Sequence, residues 1–312
     1  MLSDIVRERI EVLIKEIHQP TFKLSDDQEV SDQELGKLNI RRISFEPEEL
    51  DSKTPNIRAQ DPPILFQPMT PEEFARHPID HSSGPDSFTK FRDYHPIQDQ
   101  AHWWTPFYCA YEILNYLEDY ASGEYGKRKN IRPEALTLVG LRGLEHVRYP
   151  NPLGLFTTFY GRYSLTSGAW SAKIFIEPKR IDGKHVHPHL TLGVLQHVNG
   201  REGTMLYGEL DPVITMMYAR SQQPDVSQEE EEALFEPEAM PEFEPKAFKN
   251  EDRFPILLLS FLGPQHGRVF YACMNGDQLV IRQSRLYDFR KLESAPFDLF
   301  SRLLLSQPLP TS

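Results

Sequence analysis

Cysteine is nearly absent: Cys109 and Cys273 are the two in the chain, they stand far apart in apolar surroundings, and they form no Cys-x-x-Cys pair. This excludes a disulfide framework and a thiolate metal site as organising devices, and buried free thiols are the expectation. Long apolar runs are missing too. Nowhere do about 18 apolar residues follow one another, and the N-terminus carries charges of both signs where a leader would have its apolar stretch. The reading is an intracellular protein, cytoplasmic or nuclear, with no membrane partner.

Positive charge is in the minority, 34 Lys and Arg against 46 Asp and Glu, for a net charge of −12. Such a balance opposes general attraction to a phosphate backbone or an anionic membrane, so nucleic acid is not an expected partner. The one dense basic group, Lys127-Arg128-Lys129 with Arg132, reads as a solvated turn. Glycine is scarce beside proline, 17 against 26, and many prolines fall before residue 100 or after 220, where they punctuate long connections. The chain also lacks a Gly-x-Ser-x-Gly elbow, a Gly-x-x-x-x-Gly-Lys-Ser/Thr phosphate loop and a Gly-x-Gly-x-x-Gly after a strand.

What is present reads as an α+β fold, a mixed or mainly antiparallel sheet with flanking helices, preceded by a long proline-rich segment. Val6, Ile10, Leu13 and Ile17 are spaced as one face of a helix ending before Pro20. The rest of residues 1–100 is polar and expected to wrap over the core or remain partly disordered. Residues 101–312 form the expected α+β domain. It opens with an aromatic helix over 102–120, carrying Trp103, Trp104, Phe107, Tyr108 and Tyr111. Strands are expected at 135–141, 155–160, 172–176 and 190–197, then a tight turn at Asn199-Gly200 and a short helix capped by Asp211 with Pro212 first. Residues 222–252, with Glu229 to Glu232 and repeated Glu-Pro steps, read as an acidic disordered insertion. A buried strand at 256–261, a hairpin on Asn275-Gly276-Asp277 and a helix with Phe297, Phe300, Leu303 and Leu304 complete the order.

Three histidines alternate in Lys184 to Leu192: His185, His187 and His189. On a strand, period two puts all three on one face, where neutral imidazoles could hold a divalent metal; otherwise no cofactor is called for. Within that stretch, His189-Leu190-Thr191-Leu192 resembles the His-x-Thr strand motif of the 2H phosphoesterases. The resemblance implies His189 as acid or base and Thr191 on the phosphate, with a second such motif opposite; His81-Ser82-Ser83 is the other His-x-Ser here. Glu177-Pro178-Lys179 at a strand end resembles the acid-x-Lys mark of PD-(D/E)XK nucleases, implying Glu177 on Mg²⁺, Lys179 beside the attacking water, and Glu145 in place of the upstream acid. The order helix, strand, strand, strand, helix around Glu209 is similar to that fold, although Val280-Ile281-Arg282-Gln283-Ser284 stands where its acid-x-Lys belongs.

The longest resemblance runs from Gly208-Glu209-Leu210 through LLLSFLGPQHGRVF and Asn275-Gly276 to Leu286-Tyr287-Asp288-Phe289. It resembles a pattern in uncharacterised filamentous-fungal proteins, and implies an origin and a fold unit without a reaction. The resulting expectation is an accessory or interaction protein with a protein partner, the acidic stretch and aromatic helix being its surfaces. The alternative is a phosphoester-directed enzyme.

Overall fold

The structure, a computed structural model, describes residues 2–51, 61–83, 89–96, 105–123, 127–157, 160–161, 170–236 and 244–309. In chain order the elements are α1 (Leu2–Ile17), α2 (Asp32–Lys37), β1 (Ile40–Ser44), β2 (Phe66–Gln67), α3 (Pro71–Ala75), α4 (Pro106–Ser122) and α5 (Leu138–Leu141). There follow β3 (Leu144–His146), β4 (Tyr160–Gly161), β5 (Trp170–Pro178), β6 (Leu190–Asn199) and α6 (Tyr207–Gln222). The C-terminal part adds β7 (Ile256–Gly263), β8 (His266–Asn275), β9 (Gln278–Gln283), β10 (Tyr287–Asp288), α7 (Phe297–Leu304) and β11 (Gln307–Pro308). The fold is α+β. Among the described residues no helix is long and apolar enough to cross a membrane.

A mixed nine-stranded sheet runs β1-β9-β8-β7-β6-β5-β3, with β10 on β8 and β4 on β5. Strands β6 and β7 pair in parallel at its centre, so α6 must cross over between them. Both are covered on two faces, and β7 accordingly reads as a continuous apolar run. Period two then splits the core. Ile256 and Leu258 of β7, with Phe270, Ala272 and Met274 of β8, pack beneath α1 and α6. Leu257, Leu259 and Phe261, with Val269, Tyr271 and Cys273, pack beneath α4 and α7. Helix α6 is buried nearly all round because it lies between the sheet and α1.

The proline-rich N-terminal stretch is built into this core in its described parts. Strand β1 joins the sheet edge in parallel with β9. Residues 61–83 place Ile64, Phe66, Met69 and Phe74 over the α4/α7 face, and β2 pairs with β11.

Several local expectations are corrected. Residues 138–141 form α5, not a strand, because Thr137 caps the turn by accepting from the Gly140 N–H at 3.1 Å. Residues 152–155 are a 3₁₀ turn under Asn151; Thr158 and Phe159 of that expected strand lie outside the described residues, as do Trp103 and Trp104 of the aromatic helix. Helix α6 starts at Tyr207, one turn before Asp211-Pro212, since Glu209 reaches back to accept from the Leu206 N–H at 2.8 Å. Pro212 is thereby inside the helix, where it leaves the Gly208 carbonyl without its usual i+4 donor. The Gln196 amide donates to that carbonyl instead, at 2.7 Å. A Cβ at 208 would stand 2.2 Å from the Gln196 Oε1, so a larger residue there would have to push that amide aside. Arg128 is not part of a solvated turn: it is buried, donating to the Tyr120 and His77 carbonyls.

Candidate functional site

The histidine comb does not form. Residues 185–189 precede β6, so the alternation has no strand to express it. His185 lies 6.5 Å from the Phe248 ring on the α1/α6 side. His189 lies 5.0 Å from the Phe66 ring on the opposite side of the sheet. His187 is half-buried, its ring 5.9 Å from that of His189. Among the described residues, no three His, Cys, Asp or Glu side chains are arranged to hold a metal ion.

His189 is buried and its Nε2 bonds the Leu65 carbonyl at 2.8 Å, which makes Nε2 the protonated nitrogen of a neutral ring. Burial pushes its pKa down to about 3, against the smaller opposing effect of that bond. Thr191 is buried within β6 between Ile176 and Leu257. His81-Ser82-Ser83, the other half of the 2H pattern, is a 3₁₀ turn in which Asp80 accepts from Ser82 Oγ at 2.6 Å. Among the described residues no hydrogen bond or ring contact joins the two motifs.

Glu177 does bring a site together. It closes β5 directly across from Glu145 of β3, because the antiparallel register pairs Leu144 with Pro178 and His146 with Ile176. Its Oε1 accepts from the Asn151 amide at 3.0 Å and its Oε2 from Arg220 of α6 at 2.5 Å. His185 sits between two carboxylates, with Nδ1 3.5 Å from Glu177 and Nε2 3.6 Å from Glu231. Arg180 holds Glu231 at 2.5 Å. Lys179 turns out to solvent, and its backbone N–H ties β5 to Gly143 at 2.9 Å.

Beside this network opens a cleft of about 490 Å³. Its floor is Glu145 and Glu177, one wall is Arg148 to Asn151, and the facing wall is Gln228, Glu231 and Glu232 of the acidic segment. That segment is anchored in its described parts: Pro224 bridges Lys246, Lys184 pairs Asp225 at 3.0 Å, and Phe248 is buried. Residues 237–243 of the expected disordered insertion lie outside the described residues. At the rim, Leu136 and Tyr149 are 59% and 76% exposed, with Tyr149 edge-on to Phe235 at 4.9 Å.

The carboxyls of the floor differ in character. Burial opposes ionisation of Glu177, but Arg220, His185 and Arg180 outweigh it and hold its pKa below the ordinary carboxylate value. Burial and then the Glu177 charge push Glu145 above that value, with Arg180, His185 and Lys179 offsetting only part. Glu145 has no hydrogen bond or ion pair among the described residues. The wall also has donors without acceptors: Arg180 Nε and Nη1, and whichever tautomer it adopts, the His185 Nε2 has no hydrogen-bond partner.

A second buried carboxylate, Glu209 of α6, is closed. Arg268 of β8 donates to both its oxygens, at 2.7 and 2.6 Å, Ser260 donates at 2.8 Å, and Arg268 Nη1 goes on to the Thr204 carbonyl at 2.6 Å. The order here is α6, β7, β8, β9, β10, α7, one short strand more than the nuclease-like order expected, and an internal ion pair stands where that resemblance would put an open acid.

No protein-family model matches the chain, and no match was found among curated proteins or solved structures. The partners that make the cleft were hidden in sequence for different reasons. Arg220 and Asn151 have no local pattern, and Glu231 is indistinguishable from its neighbours in the run of four glutamates.

Proposed function

We propose that this is an accessory protein that binds a protein partner through the β3/β5 cleft. The observation that carries this reading is Glu145: it faces an open cleft with no partner, while the carboxylates beside it, Glu177 and Glu231, are each taken by an arginine. The exposed Leu136 and Tyr149 at the rim supply the apolar contact area that a docked polypeptide needs. The acidic segment belongs to the site as one wall. An intracellular setting, cytoplasmic or nuclear, and a fungal-type origin for the 208–289 stretch remain parts of this proposal, supported by composition and by the sequence pattern alone.

The phosphoester reading has weaker support, because His189 is neutral, buried and bonded to the main chain. A direct test is hydrolysis of a cyclic phosphodiester and of single-stranded DNA, with and without Mg²⁺, by wild type and His189→Ala. No turnover is expected from either. Turnover by wild type that the substitution abolishes would overturn the accessory reading. In the same preparation, hydrogen exchange with a bound partner should slow at 135–151 and 228–232; protection elsewhere only would move the docking surface.

A further inference from the structure

The cleft carries information about what it takes. Four carboxylates line it, from Glu145, Glu177, Glu231 and Glu232, against the two guanidinium groups of Arg148 and Arg180. Glu177 and Glu231 are already matched by Arg220 and Arg180. Among the described residues, Glu145 at the floor and exposed Glu232 at the wall are therefore the carboxyls left without an ion pair, and Arg148 is the one lining guanidinium not already paired. The rim above is an aromatic ring and a leucine, surfaces on which an alkyl stem or a cation packs. Behind the wall, the His185 side chain is 3% exposed and its Nε2 has no hydrogen-bond partner. Arg180 contributes two further donors without acceptors.

Resting on the docking reading above, we propose that the cleft takes a basic side chain of the partner, a lysine inserted past Tyr149 so that its ammonium meets Glu145, and that docking is proton-linked through that carboxyl. The complementarity runs along the side chain: stem against Leu136 and Tyr149, ammonium against Glu145. Burial beside Glu177 holds Glu145 above the ordinary carboxylate value while the cleft is open. An incoming ammonium favours the ionised form, so the proton leaves as the lysine enters. Several other groups face Glu145. Glu177 comes from β5, Arg180 from just beyond its end, with the charge of solvent-exposed Lys179 also felt, His185 from the stretch before β6, and Glu231 and Glu232 from the acidic segment. His146 follows it on β3, Arg148 lies two residues past the end of that strand, and Arg220 of α6 stands behind Glu177. The histidines also gain charge in acid, so the experiment must separate them from Glu145.

The test is titration of the full chain with a short acetylated, amidated peptide carrying one lysine in a Gly/Ser frame, and with its glutamine counterpart. Both are measured at about pH 8 and about pH 5, the lower pH being the one nearer to a carboxyl pKa raised above its ordinary value. Wild type is expected to bind the lysine peptide about tenfold more tightly at the higher pH, and the glutamine peptide not at all. Glu145→Gln, nearly isosteric, should lose the preference for lysine and the pH dependence together. Glu293→Gln removes the same charge at an exposed position outside the cleft lining and should behave as wild type. Lysine binding that persists unchanged in Glu145→Gln, that keeps its pH dependence there, or that falls equally in Glu293→Gln overturns the inference while leaving the docking reading in place. If no peptide protects the cleft residues from exchange at either pH, yet an authentic partner does so, the occupant is wrong; if that partner also leaves the cleft unprotected, the docking reading itself fails.

Discussion

Two buried glutamates, Glu177 and Glu209, each face an arginine across the same side of the sheet, and they have opposite surroundings. Around Glu209 every oxygen is used: Arg268 takes both, Ser260 and the Leu206 N–H add a bond each, and the remaining guanidinium nitrogen caps main-chain carbonyls. Around Glu177 the network continues outward through His185 and Glu231 and stops at atoms with no partner and at the free Glu145. A satisfied network ties α6 to β7 and β8 and leaves nothing to offer a ligand. The network around Glu177 is only partly satisfied, and beside it the Glu145 carboxyl is left open to the cleft.

The sharpest way to break the comparison is to remove the closed pair's cation. Arg268→Met should cost about 3–5 kcal/mol in denaturant unfolding, because Glu209 is left charged in the interior. Adding Glu209→Met should recover most of that loss; a double variant as unstable as the single one would mean that packing, not charge, is what Arg268 supplies. Arg220→Met at the open network should cost less, about 2–3 kcal/mol, since Asn151, Arg180 and His185 remain around Glu177. A cost equal to that of Arg268→Met would erase the distinction between the two networks.

A third effect concerns pH. His189 has its folded pKa depressed to about 3, below its unfolded value of about 6.5. The neutral ring therefore stabilises the fold fully above the unfolded value, and this contribution declines as pH falls towards the folded one. The slope approaches about 1.4 kcal/mol per pH unit for this one group. His189→Gln should remove that slope from stability measured between about pH 6 and about pH 4; an unchanged slope would place the acid sensitivity elsewhere. The smallest effect is at Glu145, whose folded pKa is raised, so that its ionised form weighs against the fold once pH exceeds the unfolded value. Glu145→Gln should raise the melting temperature slightly at neutral pH and not in mild acid. A fall at neutral pH would mean that the carboxylate has a structural partner.

The elements that were legible in sequence are those whose signal is local. Val6, Ile10, Leu13 and Ile17 do form the inner face of α1. The apolar run at 256–261 is the doubly covered β7, and Asn275-Gly276 turns β8 into β9 with Gly276 at φ 62°. Expectations failed where a side chain from elsewhere settles the backbone. Asp211-Pro212 looks like a helix start until Glu209 and Gln196 are seen to satisfy the groups that let the helix begin a turn earlier. The site was half legible: Glu177 and Glu145 were singled out, but as part of a nuclease-like set with Lys179, which turns away.

Composition and periodicity alone determined the α+β class, the acidic balance, the lack of a thiol framework and the covered central strands, because each depends on residue type or on spacing along one element. Pairing decided the rest. The β3–β5 register sets Glu145 opposite Glu177. The crossover through α6 delivers Arg220 from 43 positions away. The anchored acidic segment brings Glu231 to Arg180. Whether a buried carboxylate ends up closed, like Glu209, or beside an open cleft, like Glu177, depends on contacts between residues distant in the chain, and no local pattern encodes it.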